Sequence, residues 1–248
     1  MYNPYSLQNK TILVTGASSG IGQSTAIECS KLGAKVIITG RNECNLKETF
    51  ELLEGEGHML IKCDLSKVED LKKITDNVNS LSGIVHSAGL NINKPFAYAT
   101  SEYLNNVMSV NFFAPVELTR LLIKSKKIEK SGSIVFISSV SGVLCSAPAS
   151  SMYSASKGAV NGVVKGMALD LAPKNIRVNS VNPGVIETAI FDSGLISEKQ
   201  LEENKNQYPL KRFGKPVEVA LAVIYLLSDA SAWVTGSNLL IDGGLTLQ

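Results

Sequence analysis

Residues 11–14, Thr-Ile-Leu-Val, run straight into Thr15-Gly16-Ala17-Ser18-Ser19-Gly20-Ile21-Gly22. The apolar, β-branched run reads as a buried strand. The residues from Gly20 read as a helix reaching about Leu32, with Gly33 as its stop. A strand joined to a helix by a glycine-rich turn constrains this chain more than any other feature. Such a turn lets the backbone fold closely and leaves a helix N-terminus open to an anionic phosphate. The spacing is G-x-x-x-G-x-G, which departs from the commoner G-x-G-x-x-G of dinucleotide-binding turns. Tight turns also need glycine for purely local reasons, so the weight of the motif comes from the pattern of the rest of the chain.

That pattern is alternation. Short apolar runs recur at 35–39, 58–62, 83–86, 133–137, 177–182 and 238–241, each separated from the next by a stretch of helical character. Seven strands alternating with helices predict α/β architecture: one doubly wound, seven-stranded parallel sheet with helices on both faces. At 248 residues the chain is expected to form one domain, 1–248, with no linker, repeat or low-complexity tract. Ser66 with Glu69 predicts a capping box. Thr100 or Ser101 opens a long helix reaching about Ile128, with Asn111 near its middle and Pro115 as a kink site. Pro216 starts the last helix. The irregular segment 189–213, with Ser197 and Gln200 capping a short polar helix, is expected to cover the substrate.

Composition excludes several classes. A net charge of +2 favours no acidic partner, and the cluster Lys124, Lys126, Lys127 and Lys130 falls at a predicted helix end, where cations complement the dipole. Neither nucleic acid nor membrane is expected as a partner. The cysteines at 29, 44, 63 and 145 lack C-x-x-C spacing and are expected to be reduced and mostly buried; His58 and His86 stand alone, so no metal site is predicted. The first ten residues hold no apolar secretory core and no run of about 18 apolar residues occurs, which predicts a cytoplasmic protein.

The chemistry centres on residues 139–157. Ser139 comes after the 133–137 strand, and Tyr153 and Lys157 lie four apart on the helix beyond it, so they share a face. A nearby ammonium is expected to lower the tyrosine pKa toward working pH, fitting the phenol to pass a proton to or from a carbonyl or alcohol oxygen. Tyr208 has Arg212 at the same interval, which shows how cheaply that spacing arises. Beyond the second strand stand Gly40 and Arg41, where an NAD-binding turn usually has an acidic residue about 20 positions on. Glycine leaves room for a 2′-phosphate and a guanidinium can grip it, so NADP(H) is favoured over NAD(H). Asp64 is suited either to an adenine amino group or to a helix start. Asn111, beside Val110 and Phe112, is a poor helix former with a second task, such as holding water against Lys157.

Thr15-Gly16-x-x-x-Gly20-x-Gly22, Ser139, Tyr153-x-x-x-Lys157 and Pro183-Gly184 together resemble the short-chain dehydrogenase/reductase family, over essentially the whole chain. Within it the chain is most similar to the 3-oxoacyl-(acyl-carrier-protein) reductases. The resemblance implies a Rossmann-type fold and a homotetramer with long helices and the C-terminal strand at its interfaces. It implies Tyr153 as general acid/base, Lys157 tuning it and holding the nicotinamide ribose, Ser139 on the substrate oxygen, and Asn111 completing a tetrad. It further implies a cofactor site at Gly16, Ser18, Ser19, Gly20 and Ile21 for the diphosphate, with Arg41, Asp64, Leu65, Ala88 and Gly89 toward the adenosine. Pro183, Gly184, Ile186 and Thr188 would lie toward the carboxamide.

Three features depart from the family pattern. Ser87 stands where Asn is usual, the glycine turn carries Ser18 and Ser19 without a basic residue, and the Ser139–Tyr153 separation is long, leaving Ser138 and Ser141 as rival hydroxyls. The function implied is NADPH-dependent reduction of a ketone. A 3-oxoacyl thioester is one form, with Lys130 and Lys174 either carrier-facing cations or ordinary surface lysines. The alternatives are oxidation of a sugar or other secondary alcohol, and a non-catalytic cofactor-binding regulator.

Overall fold

The computed structural model of the chain describes residues 2–188 and 198–247. Seven strands, β1 (Thr11–Thr15), β2 (Lys35–Gly40), β3 (Met59–Lys62), β4 (Leu81–His86), β5 (Ile128–Ile137), β6 (Arg177–Pro183) and β7 (Asn238–Ile241), form one sheet. Their order is β3-β2-β1-β4-β5-β6-β7 and every pairing is parallel. The order reverses between β1 and β4, and a crevice opens at such a switch, beyond the carboxyl ends of the strands.

The two faces arise from strand alternation. Leu13, Ile37, Ile84, Ile134 and Val178 point to one side, where they pack with α3 (Val68–Asn77), α5 (Ala114–Lys124) and α6 (Ser151–Leu171). Ile12, Val14, Val36, Ile38, Val85, Val135 and Val181 point to the other, under α1 (Gly20–Lys31), α2 (Glu43–Glu51) and α8 (Pro216–Leu227). The expected doubly wound architecture is therefore the observed one. The remaining helices are α4 (Ser101–Met108) and α7 (Glu198–Asn206).

Local expectations fared unevenly. Thr100 caps α4 by accepting from the Tyr103 N–H, and Pro216 begins α8. The capping box at Ser66 does not form: Lys67 is the N-cap of α3, and the Ser66 hydroxyl donates to Asp64 Oδ1 at 2.8 Å. The single long helix is instead α4 and α5 joined by a π turn at Ser109–Phe113, and it ends at Lys124 rather than near Ile128. Pro115 has no N–H to give the carbonyl four residues back, that of Asn111, so regular α-helical bonding cannot continue there. Cys29 and Cys63 are buried but Cys44 and Cys145 are exposed, because the latter two lie at a helix start and in a surface loop. Of the expected substrate cover, 189–197, including the Ser197 cap, falls outside the described residues.

Candidate active site

Three short loops at the carboxyl ends of β1, β4 and β5 meet helix α6 around a cleft of about 990 Å³. Gly16, Ser18, Ser19, Gly20, Ile21, Arg41, Asp64, Leu65, Ala88, Gly89, Ser139, Tyr153, Lys157, Pro183, Gly184, Ile186 and Thr188 all line it. Asn111 alone of the expected set does not line the cleft; it is buried just behind it.

The turn after β1 is tightly closed. Gly16 and Gly20 have φ of +66° and +57°, and a Cβ on Gly22 would stand 2.2 Å from the Gly16 carbonyl oxygen. A Cβ on Gly16 would meet Ala88 Cα at 2.6 Å, so the β1 and β4 loops touch backbone to backbone. Helix α1 opens at Ser19 with no side-chain cap and no acidic residue in its first turn. Its unpaired N–H groups and positive dipole end therefore face the cleft, an environment suited to an anionic diphosphate. These residues fit a dinucleotide.

At the far end of the cleft, Gly40 packs on Ser18, its absent Cβ leaving 3.3 Å to that side chain. Arg41 next to it is exposed and forms no ion pair among the described residues, though its charge reaches Asp64 and helps hold that carboxyl below its usual range. The larger cause is the Ser66 hydroxyl bonded to the carboxylate. Asp64 thus shapes the loop before α3 while lining the cleft.

At the other end, Lys157 is buried and its ammonium donates to the Ile137 carbonyl at 2.7 Å. Burial pushes its pKa down from 10.5 to about 8. The ammonium lies 5.7 Å from the centre of the Tyr153 ring. The expected lowering of the tyrosine pKa is not what the free chain shows: loss of water raises the phenol, with only Ser139 pulling the other way. Desolvation outweighs the hydrogen bond with Ser139.

The serines that follow β5 are bonded differently. Ser138 donates its hydroxyl proton to the Lys157 carbonyl at 3.1 Å, a packing role. Ser139 Oγ accepts from the Ser141 N–H at 3.1 Å and is hydrogen-bonded to the Tyr153 phenol. Asn111 has its carboxamide taken up by its neighbours: Oδ1 accepts from the Leu90 N–H at 2.7 Å, and Nδ2 donates to the Leu90 carbonyl at 3.0 Å and to Ser156 Oγ at 2.9 Å. Its side chain fastens the β4 loop to α6 and makes no bond to Lys157. Ser156 then donates to the Tyr153 carbonyl at 2.7 Å.

Ser156, Gly142 and Tyr208 were not visible as site residues in the sequence. Tyr208 is buried, and its hydroxyl accepts from the Val185 N–H at 3.1 Å, tying down the loop after β6. Arg212, four residues on, instead makes a two-pronged pair with Glu218. A partner 23 residues away leaves no local signal. Lys130 near the start of β5 and Lys174 before β6 lie at the amino ends of two interior strands, opposite the carboxyl ends that border the cleft.

Burying Lys157 carries a cost with a definite pH dependence. Between pH 8 and 10.5 the unfolded chain binds a proton that the folded chain does not, so stability of the cofactor-free protein rises with pH across that window. The cost is roughly 3 kcal/mol at neutral pH. Lys157→Met should therefore be favoured most over the parent below pH 8, with the advantage shrinking toward pH 10.5; thermal melts along that range check the sign. The orphaned Ile137 carbonyl offsets part of the gain by about 1–3 kcal/mol at every pH.

Comparison with known proteins bears on the identity. Residues 16–246 match the family described as enoyl-(acyl carrier protein) reductase. A tropinone reductase homolog of Datura stramonium is 34% identical over 254 residues, covering 98% of this chain and 94% of that one. The 3-oxoacyl-(acyl-carrier-protein) reductase FabG of Thermotoga maritima is 34% identical over 247 residues, covering 97% and 99%. The solved structure of LugOII, a promiscuous reductase that catalyses keto-reduction at C1 during lugdunomycin biosynthesis, superposes with a TM-score of 0.90 at 30% identity, covering 98% and 99%. Family match, near-full-length relatives and a shared sheet agree with the cleft: the chain belongs to the short-chain dehydrogenase/reductase family and is an NAD(P)-dependent oxidoreductase.

Proposed function

We propose that the protein reduces a ketone to a secondary alcohol with NADPH. The observation that carries this reading is the Tyr153 phenol on the cleft wall, hydrogen-bonded to Ser139 and with the Lys157 ammonium 5.7 Å from its ring centre. A protonated phenol at neutral pH is a donor in waiting. A nicotinamide dinucleotide held in the cleft would supply the hydride for the carbonyl carbon. Ser139 hydrogen-bonds the carbonyl oxygen, and Tyr153 gives that oxygen its proton as negative charge develops. Lys157, 5.7 Å from the ring centre, stabilises the phenolate left behind. Asn111 and Ser156 hold the β4 loop, Tyr153 and α6 in register.

Ser18, Ser19, Gly20 and Ile21 would hold the diphosphate, Asp64 and Leu65 the adenine, and Ala88 and Gly89 the adenosine side. Pro183, Gly184, Ile186 and Thr188 would border the nicotinamide. NADP(H) is favoured over NAD(H) because Gly40 presents no acidic side chain at the end of β2 and Arg41, beside it, lines the cleft and forms no ion pair among the described residues. Arg41→Ala should raise KM for NADPH about tenfold or more and leave that for NADH nearly unchanged. Initial rates with both cofactors, over matched ketones and alcohols, test cofactor and direction together; a parent enzyme preferring NADH would overturn the Arg41 assignment.

The assembly proposed is a homotetramer. Exposed Phe113 and Leu169 on the α5–α6 side and Trp233, Leu240 and Leu247 around β7 supply two apolar faces for it. Among the described residues no helix is long and apolar enough to cross a membrane. A cytoplasmic location is the reading that four unpaired thiols favour.

A further inference from the structure

Arg41 is the residue at which the chain passes from β2 into α2. Asn42, next to it, caps that helix by accepting from the Asn45 N–H at 3.2 Å. Arg41 itself is exposed on the cleft wall, with no ion pair among the described residues to fix its guanidinium. Where that group can reach is therefore set by the backbone of residues 40–42, and this backbone moves with α2.

Further along α2, Thr49 is fully buried. A threonine inside a helix can give its hydroxyl proton to the carbonyl four residues back, and Thr49 Oγ1 lies 3.0 Å from that of Asn45. It lies nearer, at 2.9 Å, to the carbonyl of Ala17, inside the glycine turn and 32 residues away in the chain. Gln23 of α1 donates to the same oxygen from Nε2 at 3.0 Å. One hydroxyl thus joins α1, the turn and α2. The turn has anchors of its own that do not involve α2. The Ala17 N–H donates to the Thr39 carbonyl at 3.0 Å, and Gly16 and Gly22 make the close backbone contacts described above. Loss of the Thr49 hydroxyl would leave the diphosphate end in place and free α2, and Arg41 with it.

Resting on the NADPH reading, we propose that Thr49 is a positioning residue for cofactor choice. By holding α2 to the Ala17 carbonyl it sets the distance from the diphosphate-binding turn to the Arg41 guanidinium, and so the grip on a 2′-phosphate. Thr49 does not itself line the cleft. The test is calorimetry with adenosine 2′,5′-bisphosphate and adenosine 5′-monophosphate, which differ in the 2′-phosphate alone. Thr49→Val keeps the side chain's shape and removes the hydroxyl. It should weaken the bisphosphate about three- to tenfold and the monophosphate by less than about twofold. Thr49→Ser should restore the parent values. In an Arg41→Ala background Thr49→Val should add nothing for the bisphosphate, because its effect runs through the guanidinium. In turnover, Thr49→Val should raise KM for NADPH with kcat unchanged.

A parent protein that binds the two nucleotides equally overturns the NADPH reading, and the inference falls with it. A parent that prefers the bisphosphate, with Thr49→Val weakening both ligands alike or neither, overturns the inference and leaves the NADPH reading intact. Full additivity with Arg41→Ala does the same. Gln23→Met, which withdraws the donor to Thr49 Oγ1 and keeps the hydroxyl, is the second variant should Thr49→Val not fold. It should give a smaller loss confined to the bisphosphate; an unchanged ratio of the two affinities overturns the inference.

Discussion

Tyr153→Phe should lower kcat for ketone reduction by about 10²–10⁴-fold and leave NADPH affinity unchanged. The change is confined to one atom. The substitution removes a hydroxyl from a half-buried ring and keeps the ring's packing, while the backbone carbonyl of residue 153 retains its bond from Ser156. Helix α6 and Lys157 therefore stay where they are. The group lost is the donor positioned by burial and by Ser139 to protonate a developing alkoxide. Fluorescence titration with NADPH and steady-state rates separate the two effects. A variant that turned over at a rate near the parent's would show that water or Ser139 supplies the proton. Because the phenol is raised rather than lowered in the free chain, the parent's reduction rate should not require a basic medium. A steady rise in kcat/KM from about pH 6 to about pH 9 would instead indicate that the phenolate is the working form.

Gly142→Ala should be the most damaging small substitution near the site. Gly142 has φ of +104°, and an added Cβ would stand 2.2 Å from the Ser154 carbonyl oxygen and 2.8 Å from the Gly158 nitrogen. Both neighbours are backbone of α6 and cannot swing aside. The loop from Ser139 thus rests directly on the helix turn between Tyr153 and Lys157, and this contact sets their spacing to Ser139. The expected loss is about 3–5 kcal/mol, combining left-handed strain with steric overlap. Melting temperature should fall by about 6–20 °C, at roughly 2–4 °C per kcal/mol for a chain of this size. Molecules that still fold should show lower kcat/KM, since the serine is displaced from the phenol. Gly166→Ala, on the same helix with nothing within 4 Å of the new Cβ, is the control and should be stable.

The sheet was legible because its signal is local. Each strand from 11–15 to 238–241 is an apolar run whose alternation decides which face it buries. The glycine turn and the Tyr153–Lys157 interval were legible for the same reason: a turn and a helical face are properties of consecutive residues. Elsewhere a competing partner intervened. Ser66 fits a capping box by spacing, but α3 starts one residue further on, with Lys67 as its N-cap, and the Ser66 hydroxyl donates to Asp64 instead. The helix through Asn111 reads as continuous, yet that asparagine is drawn to Leu90 and Ser156 while Pro115 withholds a hydrogen bond.

From sequence alone came the α/β class, the alternation, the place of the glycine-rich turn, and the pairing of a phenol with an ammonium on one helix. Each depends on neighbours within a few residues, where geometry is set by dihedral angles and period. Tertiary structure decided which serine lies against Tyr153, that Asn111 fastens the β4 loop to α6, that Tyr208 anchors the loop after β6, and that the tyrosine pKa moves up. Those outcomes depend on burial and on partners tens of residues away. The free energy of removing a group from water belongs to the assembled cleft and to no segment of the chain.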